Sequence, residues 1–312
     1  MPIRGGGVRT AAEGVATAAR ALPACLSLLR RHRPAAVFSI GGYAAGPLAL
    51  AARLLGIPVA LMEPNAEIGL SNRLVAPLVS RAYTAFPRSA RYFRRSIVLE
   101  TGVPLRKGFF AVPYARQTGH LRVLIFGGSQ GAQTLNQAVP RALRQLGISL
   151  SIVHQCGARD EARTRALYSE LGMTDAARVV PFIDDMHRAI AETDLVIGRA
   201  GAGTVGEICA VGRPSLLIPY PYAGDHQRFN AYPLVEGGAA VCVLSAEATP
   251  ERLARELEDL VNPPGRLETM AERARALGRP EAARVIAEDL SRLAGAALKS
   301  EAAPTAGSVE VG

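Results

Sequence analysis

Nine short apolar runs, alternating with helical stretches, fix the fold class of this chain. They span 35–40, 58–62, 82–86, 121–126, 150–154, 179–182, 195–197, 215–218 and 240–243. Strands of this kind belong to parallel sheets covered by helices on both faces, so the alternation predicts an α/β protein. An alanine-rich stretch, 9–33, predicts a first helix, which Pro34 ends because its ring disfavours helical backbone in the residue before it. Residues 106–120 have no periodicity and read as a linker. A length of 312 residues suits two domains of ordinary size, here 1–115 and 116–295. Segments 250–260, 267–277 and 280–293 read as closing helices. The small, polar residues 296–312 read as a disordered tail.

Bulk composition narrows the function classes. With 49% apolar and 20% charged residues the chain is an ordinary globular protein rather than a disordered or fibrous one. Cys25, Cys156, Cys209 and Cys242 have no C-x-x-C spacing, so they read as small buried hydrophobes, not as a zinc site or a disulfide frame. No apolar run approaches the ~20 residues of a membrane span, and no signal peptide is evident. The net charge of +9 is unevenly placed: residues 1–120 hold 16 basic and 4 acidic residues, and 121–312 hold 20 and 23. A basic N-terminal part suits an anionic surface or substrate. Nucleic acid fits poorly, because the chain has no Trp and no nucleic-acid motif. The anionic face of a membrane fits better. The segment Arg88-Ser-Ala-Arg91-Tyr92-Phe93-Arg94-Arg95 could lie there; the alternative for it is a solvated loop.

Three glycine-rich turns follow strands directly: Ser39-Ile40-Gly41-Gly42-Tyr43-Ala44-Ala45-Gly46, Gly127-Gly128-Ser129-Gln130-Gly131 and Gly198-Arg199-Ala200-Gly201-Ala202-Gly203. One such turn is a weak signal, since tight strand-to-helix turns need glycine for geometry alone. Three of them in two domains suggest anion-binding edges. The second turn is neither a P-loop nor G-x-G-x-x-G, which counts against ATPase and NAD readings. In the third, small residues allow close approach to a phosphate, and the following helix offers free N–H groups and a partial positive charge. Glu207, one turn into that helix, would suit the two hydroxyls of a ribose, which points to a nucleotide sugar. The competing explanation is a capping box, in which Glu207 only bonds the backbone at Thr204.

These motifs together resemble the MurG family of glycosyltransferases. The resemblance runs from about Arg4 to Leu293 and rests on SIGGYAAGP, MEPN followed by GLSNR, TGVPLR, FGGSQGAQTLN, PFIDDM, RAGAGTVGE and DHQRFNA. It implies a GT-B fold of two Rossmann-like domains with parallel sheets facing a cleft, and transfer of N-acetylglucosamine (GlcNAc) from UDP-GlcNAc to undecaprenyl-pyrophosphoryl-muramyl-pentapeptide. Transfer would proceed with inversion and without a metal or other cofactor. Residue by residue, Ile183 would meet the uracil through its backbone and Glu207 the ribose. Ser129 and Ala202, Gly203, Thr204, Val205 and Gly206 would lie at the diphosphate. Gln227 would meet the sugar, with Asn65 and Arg106 as further donor residues. Gly41, Gly42 and Tyr43 would face the lipid-linked acceptor. The implied location is the cytoplasmic face of the bacterial plasma membrane, peripherally attached.

The chain departs from the family pattern at its start. It lacks the family's G-x-G-G-H loop, whose histidine is often taken as the base, so the N-terminal domain is expected to be incomplete by roughly 60–80 residues, about two strand–helix units. His32, His120, His154, His187 and His226 do not replace that histidine. Glu63 in MEPN is the remaining acidic candidate for the base. Two rivals stand beside this reading: a non-catalytic UDP-sugar-binding protein, and another GT-B enzyme acting on a lipid such as diacylglycerol.

Overall fold

The structure, a computed structural model, describes residues 8–42, 45–117, 119–128, 132–221 and 225–302. The chain divides into two compact units: residues 1–101 together with 283–312, and residues 102–282.

The first unit is built on a four-stranded parallel sheet, β1 (Val37–Ser39), β2 (Val59–Glu63), β3 (Arg81–Thr84) and β4 (Val98–Glu100), in that order across the sheet. Helices α1 (Val8–His32), α2 (Ala45–Leu54), α3 (Leu70–Val75) and α4 (Pro87–Ala90) connect or flank the strands. The two-residue period of β2 sorts its side chains between two cores. Val59 and Leu61 join Leu29, Ala49, Ala52, Val75 and Ala82 on one face. Ala60 and Met62 join Tyr83 and Ile286 on the other. Ile286 comes from α12 (Ala282–Ala302), the last helix of the chain. Its Asp289 accepts from Tyr83 Oη at 3.0 Å and lies 2.9 Å from Arg81 Nε.

The second unit carries a six-stranded parallel sheet. Its strands are β5 (His120–Phe126), β6 (Ser149–Gln155), β7 (Ala177–Val180), β8 (Leu195–Gly198), β9 (Ser215–Leu217) and β10 (Ala240–Cys242). Their spatial order is β10-β9-β8-β5-β6-β7. The chain moves outward from β5 through β6 to β7, then returns to place β8 on the other side of β5. This reversal is the switch point where open α/β sheets bind ligands. Helices α5 (Gln133–Leu143), α6 (Glu161–Glu170), α7 (Met186–Ala191), α8 (Ala202–Val211), α9 (His226–Glu236), α10 (Pro250–Val261) and α11 (Arg266–Leu277) make the crossovers and the closing layer. At the switch point β8 presses closely on β5: a Cβ on Gly198 would stand 2.8 Å from the Phe126 carbonyl oxygen.

Two expectations about organisation are corrected. The boundary falls between Thr101 and Gly102, and the residues from 283 onward group with the first unit rather than closing the second. The stretch after 295 is helical to Ala302, because Ala296, Ala297, Leu298 and Lys299 continue the good helix formers of α12. Residues 303–312 lie outside the described residues.

Candidate functional site

In the second unit the candidate site is built around the start of α8. The helix begins at Ala202 with Gly201 as its N-cap, and no side chain caps it. Val205 N–H donates to Gly201 O at 2.9 Å, so the N–H groups of Ala202, Gly203 and Thr204 have no intrahelical acceptor. The capping-box explanation for Glu207 fails here, because Thr204 is inside the helix and not at its cap. The expected role of Val205 narrows as well, since its N–H is already spent on the helix.

Glu207 lies on the second turn of α8 with 18% of its side chain exposed; the nearest charge is Arg106 Nη2, 4.0 Å from Oε1. Burial raises the pKa of this carboxyl above the usual range, and Arg106 offsets part of that rise. Such a group gains when hydroxyl donors replace the water it has lost. Arg106 is brought there by packing at Gly206, where a Cβ would lie 3.3 Å from both Val103 and Leu105.

Gln227, on α9, holds the turn in place. Its Oε1 accepts from Ala200 N at 3.2 Å and from Tyr220 N at 2.9 Å. Two backbone N–H donors fix the amide orientation and direct Nε2 away from them. Asn230 Nδ2 donates to Ala200 O at 3.2 Å, so both polar groups of the Ala200 residue are tied to α9. Between them sits Arg199, 8% exposed. Its Nη1 donates to Ile218 O, Pro219 O and Ser245 Oγ at 2.7–3.0 Å, and its guanidinium lies over the Tyr220 ring. Burial lowers its pKa from the ordinary value. Sequence reasoning missed Arg199 and Asn230. The available signal was an arginine directly after a buried strand, where a charge needs partners.

The opposite side of the switch point is organised by Gln155, the last residue of β6 and 2% exposed. Its Nε2 donates to Gly128 O and its Oε1 accepts from Ile183 N, each at 3.0 Å. One side chain thus links the turn after β5 to the segment after β7. The N–H of Ile183 is thereby held by Gln155. Ser129 lies outside the described residues.

The remaining expected residues belong to the first unit. Gly41 and Gly42 adopt left-handed backbone, with φ of 97° and 93°, directly after β1. Tyr43 lies outside the described residues. Glu63 closes β2 and is 1% exposed. It accepts from the backbone N and Nδ2 of Asn65, from Gly69 N and from Asn72 Nδ2. Both oxygens of Glu63, the residue expected from the sequence as the proton acceptor, are thus taken up by neighbouring N–H donors.

Comparison with known proteins shows the family of the chain. Residues 3–84 match the glycosyltransferase family 28 N-terminal domain, and residues 122–288 match the corresponding C-terminal domain. A curated relative from Sorangium cellulosum is 51% identical over 298 residues, covering 94% of this chain and 74% of the relative. It is named UDP-N-acetylglucosamine–N-acetylmuramyl-(pentapeptide) pyrophosphoryl-undecaprenol N-acetylglucosamine transferase. The chain belongs to the MurG family. A relative of the same name from Anaeromyxobacter dehalogenans is 42% identical, with 92% of this chain and 76% of the relative covered. Among solved structures, the crystal structure of Acinetobacter baumannii MurG superposes with a TM-score of 0.78 at 34% identity, covering 94% of this chain and 83% of that one. The UDP-GlcNAc 2-epimerase of Neisseria meningitidis, solved with UDP-GlcNAc, has a TM-score of 0.64 at 14% identity, covering 88% of this chain and 81% of that one, a likeness of fold alone. Two Rossmann-like domains with parallel sheets are therefore common to this chain and the MurG family.

Proposed function

We infer that this chain is a hexosyltransferase that moves N-acetylglucosamine from UDP-GlcNAc to the undecaprenyl-pyrophosphoryl-muramyl-pentapeptide, the lipid I to lipid II step of peptidoglycan synthesis. The observation that carries this reading is Glu207, partly buried, 4.0 Å from Arg106 and one turn inside a helix whose first N–H groups have no internal acceptors. That pairing suits a ribose beside a diphosphate. The acceptor's 4-hydroxyl oxygen attacks the anomeric carbon of GlcNAc, the bond from that carbon to the diphosphate breaks with inversion, and a base takes the hydroxyl proton. Charge gathers on the departing UDP, where the N–H groups of Ala202, Gly203 and Thr204 and the α8 dipole stabilise it. In this reading the Ile183 carbonyl accepts from the uracil, Ser129 meets the diphosphate and the Gln227 Nε2 meets the sugar. Asn65 adds to donor binding, and Gly41, Gly42 and Tyr43 face the acceptor.

The acceptor is a lipid, so the first unit meets a membrane surface. No described helix is long and apolar enough to cross a membrane. On α3, Leu70 and Leu74 are 64% and 69% exposed, one helical turn apart, with Arg73 between them. Exposed leucines beside arginines suit peripheral attachment to the anionic cytoplasmic leaflet of the bacterial plasma membrane. Arg88 and Arg91 are partly neutralised by Glu67, which makes α3 the better-supported contact.

Two measurements test the reading. Calorimetry should show Glu207→Gln weakening UDP binding about tenfold or more, the loss of one or two charge-assisted hydrogen bonds. Transfer from labelled UDP-GlcNAc should occur to a lipid-linked muramyl-pentapeptide and not to diacylglycerol. UDP binding without transfer to either lipid would leave only a UDP-sugar-binding protein.

A further inference from the structure

At the carboxyl edge of the four-stranded sheet, the loop after β2 and the start of α3 are tied to one buried carboxylate. Glu63 Oε1 accepts from Asn65 N at 2.9 Å and from Asn65 Nδ2 at 3.3 Å. Its Oε2 accepts from Gly69 N at 3.2 Å and from Asn72 Nδ2 at 2.8 Å. An ionised carboxylate offers about four lone-pair sites, and these donors fill them. A general base must aim a lone pair at the proton it takes; Glu63 has none left to aim.

Asn72 carries the restraint onward. Its Nδ2 also donates to Met62 O at 3.2 Å. Its Oδ1 is buried and accepts no hydrogen bond, and a Cβ on Gly41 would stand only 2.5 Å from it. Gly41, with its N–H on Ser39 Oγ at 3.1 Å, therefore turns against the Asn72 amide, an approach open only to glycine. An orphaned buried amide oxygen is costly, and a fold that keeps one calls for an explanation in what the contact enforces.

We propose that Glu63 is a positioning residue for the transfer reaction and not its proton acceptor. It acts through Asn65 on one side, and through Asn72 and the Gly41 turn on the other. The proposal rests on the transferase reading, in which Asn65 serves the donor and Gly41 and Gly42 the lipid-linked acceptor. A carboxylate is required because all four partners are N–H donors. Glutamine would set its own NH2 group against two of them.

The test uses the full chain and four variants: Glu63→Gln, Asn72→Ala, Gly41→Ala and the double variant Glu63→Gln/Asn72→Ala. Each single variant should lower kcat/KM about tenfold or more, with KM raised for at least one substrate. The double variant should fall within about twofold of the weaker single variant, because both changes break one device. Gly41→Ala should give the same kind of defect without touching the carboxylate, which keeps the test decisive if Glu63→Gln folds poorly. A base behaves differently: Glu63→Gln would lower kcat about 10²–10⁴-fold with both KM values unchanged, and Asn72→Ala would stay near wild type. That pattern overturns the proposal. Amide exchange gives an arm that needs no substrate. In Glu63→Gln the Asn65 and Gly69 amides should exchange about tenfold faster or more, while β2 and β3 keep their protection. Unchanged exchange also overturns the proposal. Should the wild-type chain transfer nothing, the transferase reading is what fails, and exchange still decides whether Glu63 holds the loop after β2.

Discussion

A carboxylate that burial has stripped of water works against the fold that holds it, and Glu207 is in that position. Its folded-state pKa is raised by burial, so the folded state holds the proton more tightly than the unfolded one. The resulting stability is present at acid pH and is lost as pH rises through the unfolded and then the folded value. Glu207→Gln should therefore raise the melting temperature of the ligand-free protein by about 1–3 °C at pH 8, with less gain near pH 4.5, while weakening UDP binding. Scanning calorimetry at the two pH values checks the sign. His154 shows the opposite linkage. It is fully buried; its Nε2–H donates to Asn136 Oδ1 and its Nδ1 accepts from Tyr168 Oη, each at 3.0 Å. Burial pushes its pKa down from 6.5 to about 3. The stability it contributes is complete above 6.5 and is lost as pH falls from there toward 3. A His154→Gln variant should be less stable at pH 7 than wild type but should lose less between pH 7 and pH 4.5, as thermal melts will show.

At the scale of elements, the start of α8 depends on which of its glycines faces a neighbour. Gly206 meets Val103 and Leu105 at the distance a Cβ would need, whereas Gly203 has nothing within 4 Å. Gly206→Ala should push the 103–106 segment outward, carry Arg106 away from Glu207 and raise KM for UDP-GlcNAc several-fold. Gly203→Ala should keep the melting temperature of wild type. Steady-state kinetics paired with melts separate the two. The elements were largely legible in sequence because buried parallel strands are apolar along their whole length. Each of the nine expected runs overlaps a strand. The missed strand, β4, is short and only partly buried, so its apolar run carried no such mark. The turn into α8 was legible because small residues cluster at a tight strand-to-helix turn. The tethers behind it were not. Gln155 joins Gly128 to Ile183, and Glu63 gathers partners up to nine residues away; a lone polar residue at a strand end gives no sign of which loops it will join.

For the whole molecule, the last helix matters as much as the first strands. Asp289 on α12 is 8% exposed and is shared by Tyr83 and Arg81 of β3. Asp289→Ala strands both partners and should destabilise the first unit by about 2–3 kcal/mol. Limited proteolysis should then cut within residues 1–101 sooner than in wild type, while the 102–282 segment resists as before. The same arrangement bears on how the protein is made. A ribosome delivers residues 102–282 as one uninterrupted stretch, so the second unit can close on itself while synthesis continues. The unit that includes β1 to β4 waits, one sheet face uncovered, until the residues from 283 onward are made. A premature stop just before residue 283 would thus leave a chain whose second unit is sound and whose first unit never finishes folding.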